Sequence, residues 1–253
     1  MIGSVKNAVA FVTGGSSGLG LGTIRQLLNQ GIKGCVAFDM NTPEFKHDNL
    51  FAIKGDVTKE SDVQEALESS ENRFGKIDAV VNCAGIAVAA KIYDSKREKI
   101  HSLEDFKRVL EVNTVGTFNV CRLAAPILAK NEMQANGQRG CMILTSSTAS
   151  IEAQVGQIAY AASKGAVNGM TLAIARDLSP IGIRCVTIAP GPFDTPLMSK
   201  LPPKVKQQLG ATVPCPARLG DPLEFGHLVQ SIIENGYING EIIRLDGALR
   251  MQP

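Results

Sequence analysis

Short apolar runs, many of them β-branched, recur along the chain, and each gives way to a stretch with helical spacing of its apolar positions. Residues 8–13 form the first run, 19–29 the first helical pattern and 34–39 the second run. Residues 51–53 lead into a helix over 60–73, followed by a strand over 77–82. The stretch 103–128 reads as one or two long helices and 141–146 as a strand. A helix over 158–178, a strand over 184–189, a helix over 223–233 and a strand over 241–245 complete the series. Strands that are apolar at every position are covered on both faces, and amphipathic helices between them supply the cover. With right-handed crossovers, the alternation predicts an α/β fold of the Rossmann type, a doubly wound parallel sheet of about seven strands. No repeat or linker interrupts it, so one domain is expected over 1–253.

Two segments fall outside the alternation. Residues 87–101 carry Lys91, Lys96, Arg97 and Lys99 and read as a charged insertion loop. Residues 190–221 are rich in proline and begin at the C-terminal end of a strand. Open α/β sheets bind ligands at that edge, so both are candidate covers for a substrate.

Composition narrows the partners. The formal net charge is +2 and 20% of residues are charged, with no clustered basic face of the kind nucleic acid requires. No apolar run approaches the ~18 residues of a membrane span, and residues 1–7 are too few for a signal peptide ahead of the first strand. The six cysteines (Cys35, Cys83, Cys121, Cys141, Cys185, Cys215) form no C-x-x-C pair. They are expected to be reduced, buried thiols, and no metal site is expected.

The candidate chemistry starts at Thr13-Gly14-Gly15-Ser16-Ser17-Gly18-Leu19-Gly20, between the first strand and the first helix. Gly14, Gly18 and Gly20 permit a tight turn and close approach of backbone to a pyrophosphate, which the helix N-terminus attracts. Asp39 ends the second strand, where a carboxylate can accept hydrogen bonds from adenosine ribose hydroxyls and repel a 2′-phosphate. NAD is therefore the expected cofactor. Asp56-Val57 follows the third strand, and Asn82-Cys83-Ala84-Gly85 ends the fourth with small residues that leave room at the sheet edge.

Tyr160-Ala-Ala-Ser-Lys164 is the decisive feature. Residues four apart share a helix face, so the Lys164 ammonium can stand beside the Tyr160 phenol. A free phenol titrates near ~10, and a neighbouring cation is expected to lower that value and make Tyr160 a general acid/base. Ser147, at a strand end, can hydrogen-bond a substrate oxygen as charge shifts onto it.

The glycine loop, Asn82-Cys83-Ala84-Gly85, Asn113, Ser147, Tyr160, Lys164 and Pro190-Gly191 together resemble the short-chain dehydrogenase/reductase family over essentially the whole chain. Cys83 stands where the family usually has a second asparagine. Longer strings, among them Ala175-Arg-Asp-Leu-Ser-Pro-Ile-Gly-Ile-Arg184, carry a closer likeness to the members that act on L-3-hydroxyacyl-CoA and hydroxysteroids. The resemblance implies NAD contacts from Ser17, Leu19, Asp39, Asp56, Val57, Cys83, Ala84, Gly85, Tyr160, Lys164, Pro190, Phe193 and Thr195. It implies substrate contacts from Ser147, Gln154 and Tyr160, and a proton relay with Lys164 supported by Asn113. It also implies a homotetramer in the mitochondrial matrix, with the cytoplasm as the alternative. For animal members it implies a scaffold role in a mitochondrial tRNA-processing complex.

Overall fold

The computed structural model describes residues 4–199 and 202–252. Residues 1–3, Lys200 and Leu201 of the covering segment and Pro253 lie outside the described residues.

Seven parallel strands form one sheet in the order β3-β2-β1-β4-β7-β8-β9. They are β1 (Val9–Thr13), β2 (Gly34–Asp39), β3 (Leu50–Lys54), β4 (Ala79–Asn82), β7 (Gly140–Thr145), β8 (Ile183–Pro190) and β9 (Ile242–Leu245). The central strands β1, β4, β7 and β8 are buried at every position, as their unbroken apolar runs require, while the edge strands β3 and β9 are partly exposed.

Successive strand residues feed opposite faces. Ala10 and Val12 join one core with Ile24 and Leu27 of α1 (Gly18–Asn29) and Phe225 and Val229 of α8 (Pro222–Glu234). Phe11 joins the other core, with Leu67 of α2 (Glu60–Phe74), Val120 of α4 (Thr117–Ala129) and Val167 of α5 (Ile158–Leu178). There Phe11 stacks on Phe38 with centroids 5.5 Å apart, and burying each such ring stabilises the fold by about 2–3 kcal/mol. The strand order turns back between β1 and β4, which opens a crevice above Thr13 and Asn82.

Three segments gain local detail. The charged insertion contains an antiparallel ladder, β5 (Tyr93–Asp94) with β6 (Lys99–Ile100), rather than a plain loop. The stretch from 103 is α3 (Leu103–Leu110) and α4, joined without a break by a π-helical turn, Glu111–Gly116. The proline-rich cover holds α6 (Pro196–Ser199) and α7 (Pro203–Ala211).

Candidate active site

The crevice is built first by the turn after β1. Gly14 and Gly18 adopt φ of 64° and 51°, and a Cβ on Gly20 would lie 2.2 Å from the Gly14 carbonyl oxygen. Only glycine tolerates that approach. Ser17 caps α1 without a side-chain hydrogen bond, so the first-turn N–H groups and the positive helix end are available to an anion. The Thr13 Oγ1 accepts the N–H of Cys83 at 3.2 Å and of Ala84 at 3.1 Å, pinning the glycine turn to the end of β4.

Asp39 faces this turn. Its Oδ2 accepts the Ser16 N–H at 3.1 Å and its Oδ1 the Asn41 N–H at 3.0 Å. It takes part in no ion pair among the described residues. Asp56 closes a tight turn, with Oδ1 accepting from Thr58 N and Oγ1, both at 2.9 Å. Val57 is buried against Gly116, and Leu19 packs on the core while remaining partly exposed. On the far wall, Pro190 ends β8 opposite Leu245, and Thr195 lies against Gly18. The Phe193 ring is buried edge-on to Phe225. A glycine cradle, an uncapped helix end and a carboxylate at the neighbouring strand tip fit a dinucleotide.

The residues expected to react converge beside it. Ser147 follows β7 and caps a 3-10 turn, Thr148–Ser150, accepting the Ala149 N–H at 3.1 Å. Its side chain lies near enough to the Tyr160 phenol to favour the charged form of that group. Lys164, 4% exposed, donates to the Thr145 carbonyl at 2.7 Å, with Nζ 5.7 Å from the Tyr160 ring centroid. The shared face expected from the four-residue spacing is therefore present.

The expected lowering of the phenol is not. Burial pushes Tyr160 up, and the nearby Ser147 side chain offsets only part of this. Burial also pushes Lys164 down, to about 8. Desolvation penalises the charged form of each group and is the largest cause of both shifts.

Asn113 sits in the π turn, fully buried. Its Oδ1 accepts the Ile86 N–H at 2.8 Å, and its Nδ2 donates to the Ile86 carbonyl and to Ser163 Oγ, both at 2.9 Å. Ser163 Oγ in turn donates to the Tyr160 carbonyl at 2.7 Å. Asn113 thus braces the loop after β4 against α5. A Cβ on Gly85 would lie 3.2 Å from Asn113 Oδ1, closer than an ordinary contact.

Gln154 directs its amide to the Gln252 carbonyl at 3.2 Å. The loop around it and residues 90–93 border an open, mostly apolar cavity of about 550 Å³ whose lining includes Ile92, Val155 and Ile158. Lys91, Lys96, Arg97 and Lys99 are all exposed on the hairpin, Arg97 lying 3.8 Å from Asp94. Five cysteines are buried or partly so, and burial lifts Cys83 to about 11. Cys215 is exposed, against the reading of six buried thiols, because it lies in the covering segment.

Thr13, Thr145 and Ser163 are further members of this site that the sequence motifs do not single out. Thr13 and Ser163 were visible inside the two motifs. Thr145 contributes to Lys164 a backbone carbonyl, which leaves no trace in residue type.

The short chain dehydrogenase family model matches residues 8–206. The rat protein "3-hydroxyacyl-CoA dehydrogenase type-2" is 55% identical over 99% of this chain and 98% of its own length. The crystal structure of the Mycobacterium avium protein of that name superposes with a TM-score of 0.91 at 38% identity, covering 98% of both chains. A 3-ketoacyl-(acyl-carrier-protein) reductase from Brucella melitensis, solved with NADH, gives 0.85 at 25% identity over 98% of this chain and all of that one. The chain belongs to the short-chain dehydrogenase family and is an oxidoreductase built to use a nicotinamide cofactor.

Proposed function

We propose that this protein oxidises L-3-hydroxyacyl-CoA to 3-ketoacyl-CoA with NAD, and takes hydroxysteroids as further secondary alcohols. The observation that carries the reading is the gathering of Ser147 beside Tyr160 with Lys164 Nζ over the phenol ring, 5.7 Å from its centroid. The name of the rat relative supports the acyl-CoA substrate.

Ser147 holds the substrate oxygen against Tyr160. Tyr160 removes the alcohol proton during oxidation and returns it during reduction. A bound nicotinamide supplies the hydride acceptor, and that redox chemistry is the cofactor's own. Lys164 stabilises the phenolate as it forms and passes the proton onward, with Asn113 bracing the relay from its widened turn. Gly14, Ser17, Gly18 and Gly20 hold the pyrophosphate, and Asp39 holds the adenosine ribose and repels a 2′-phosphate, which supports NAD over NADP. The family resemblance supports a homotetramer in the mitochondrial matrix.

The test is NADH and NADPH oxidation by purified protein across 3-ketoacyl-CoAs of graded chain length and ketosteroids. Expected is turnover of the acyl-CoAs with NADH preferred by at least ~10-fold in kcat/KM. Turnover confined to ketosteroids overturns the substrate, and a preference for NADPH overturns the cofactor.

A further inference from the structure

Ser147 and Tyr160 are joined by one connector, the turn Thr148–Ser150 and the loop 151–157. In its middle a single carboxylate gathers donors from the far end of the chain. Glu152 Oε1 accepts Arg244 Nη1 at 2.8 Å. Its Oε2 accepts Arg244 Nη2 at 3.2 Å and the Met251 N–H at 2.8 Å. Arg250 Nε stands 3.5 Å from Oε1. Arg244 also gives Nε to Asp246 at 2.7 Å and Nη2 to the Leu249 carbonyl at 2.9 Å. Two residues past Glu152, the Gln154 amide reaches the Gln252 carbonyl.

This is more than a surface ion pair. The side chains of Glu152 and Arg244 are 21% and 22% exposed, and Asp246 is 7% exposed. A forked guanidinium meeting a carboxylate through two bonds fixes direction as well as distance. The tail it holds contains Ala248 at φ 68°, a left-handed conformation that a side chain disfavours. Such a residue persists where the surrounding bonds over-determine it. Here the Ala248 N–H is held by Asp246 Oδ1 at 3.0 Å. On its other side the loop is tied to the hairpin insertion, the Ala90 N–H donating to the Gly156 carbonyl at 2.8 Å.

We propose that Glu152 and Arg244 are positioning residues: they lock the C-terminal segment 246–252 across the connector, so that the tail sets the placement of Ser147 against Tyr160 and shapes the substrate wall at 153–156. The kinetic part of this inference rests on the proposed dehydrogenase function, whereas the lock itself does not.

Glu152→Gln keeps the shape and removes the charge, and Glu152→Asp keeps the charge. Hydrogen exchange on the full-length protein reads the lock. Glu152→Gln is expected to speed exchange at 148–157 and 246–252 together by at least ~10-fold, leaving β1, β4 and β7 unchanged. Steady-state kinetics on any ketone the wild type reduces is expected to show KM raised ~10-fold with NADH affinity within twofold, partly rescued in Glu152→Asp. Arg244→Met should reproduce both changes, and the double variant should be no worse than either single one. Unchanged exchange in Glu152→Gln overturns the lock. Faster exchange with unaltered kinetics overturns the positioning role. If the wild type reduces no ketone at all, the proposed function falls while the exchange experiment still decides the lock.

Discussion

At Tyr160 and Lys164 burial works against both charges at once, raising the cost of a phenolate and of an ammonium. Formed together, the two charges make a short-range pair in a dry site, and each relieves the penalty of the other. The lysine must therefore carry its proton when the tyrosine gives one up. With Lys164 titrating at about 8, the ammonium form prevails below that pH and the neutral amine above it. We predict that kcat/KM for ketone reduction, measured at subsaturating NADH so that the free protein is titrated, falls about tenfold per pH unit once pH passes well above 8. A flat profile from pH 7 to about 9.5 would show that the lysine charge is not required. The motif spacing made this pair legible, since four residues bring two side chains to one helix face. The direction of the Tyr160 shift was not legible, because it depends on how much water the folded site excludes.

Among the elements, the wholly apolar strands could be read because burial on both faces leaves a continuous signature in residue type. The π turn could not, as widening a helix by one residue barely disturbs its apolar spacing. Prolines misled in the covering segment: Pro203 opens α7 at a position whose missing N–H costs the helix nothing. The hairpin was hidden because strands of two residues have no period to detect. It presents Lys91, Lys96, Arg97 and Lys99 to solvent, where they can meet the phosphates of coenzyme A. Replacing all four by glutamine is expected to raise KM for an acyl-CoA by about tenfold, the sum of several weak contacts, and to spare a small ketone. Equal effects on both substrates in the same kinetic assay would reduce the hairpin to a solvated surface feature.

At the scale of the molecule, two cores on opposite faces of one sheet carry the stability, and the chemistry stands at the edge where the strand order reverses. The tail then returns from the far strand to the connector between Ser147 and Tyr160, so that distant parts of the sequence meet at one place. Frame and chemistry are separable in this design, and one substitution separates them. Tyr160→Phe removes a single oxygen and leaves the ring in place. The account predicts an unchanged melting temperature, NADH affinity within a few-fold of wild type and turnover reduced by at least ~10². Turnover near the wild-type rate in a variant that folds and binds NADH would contradict it.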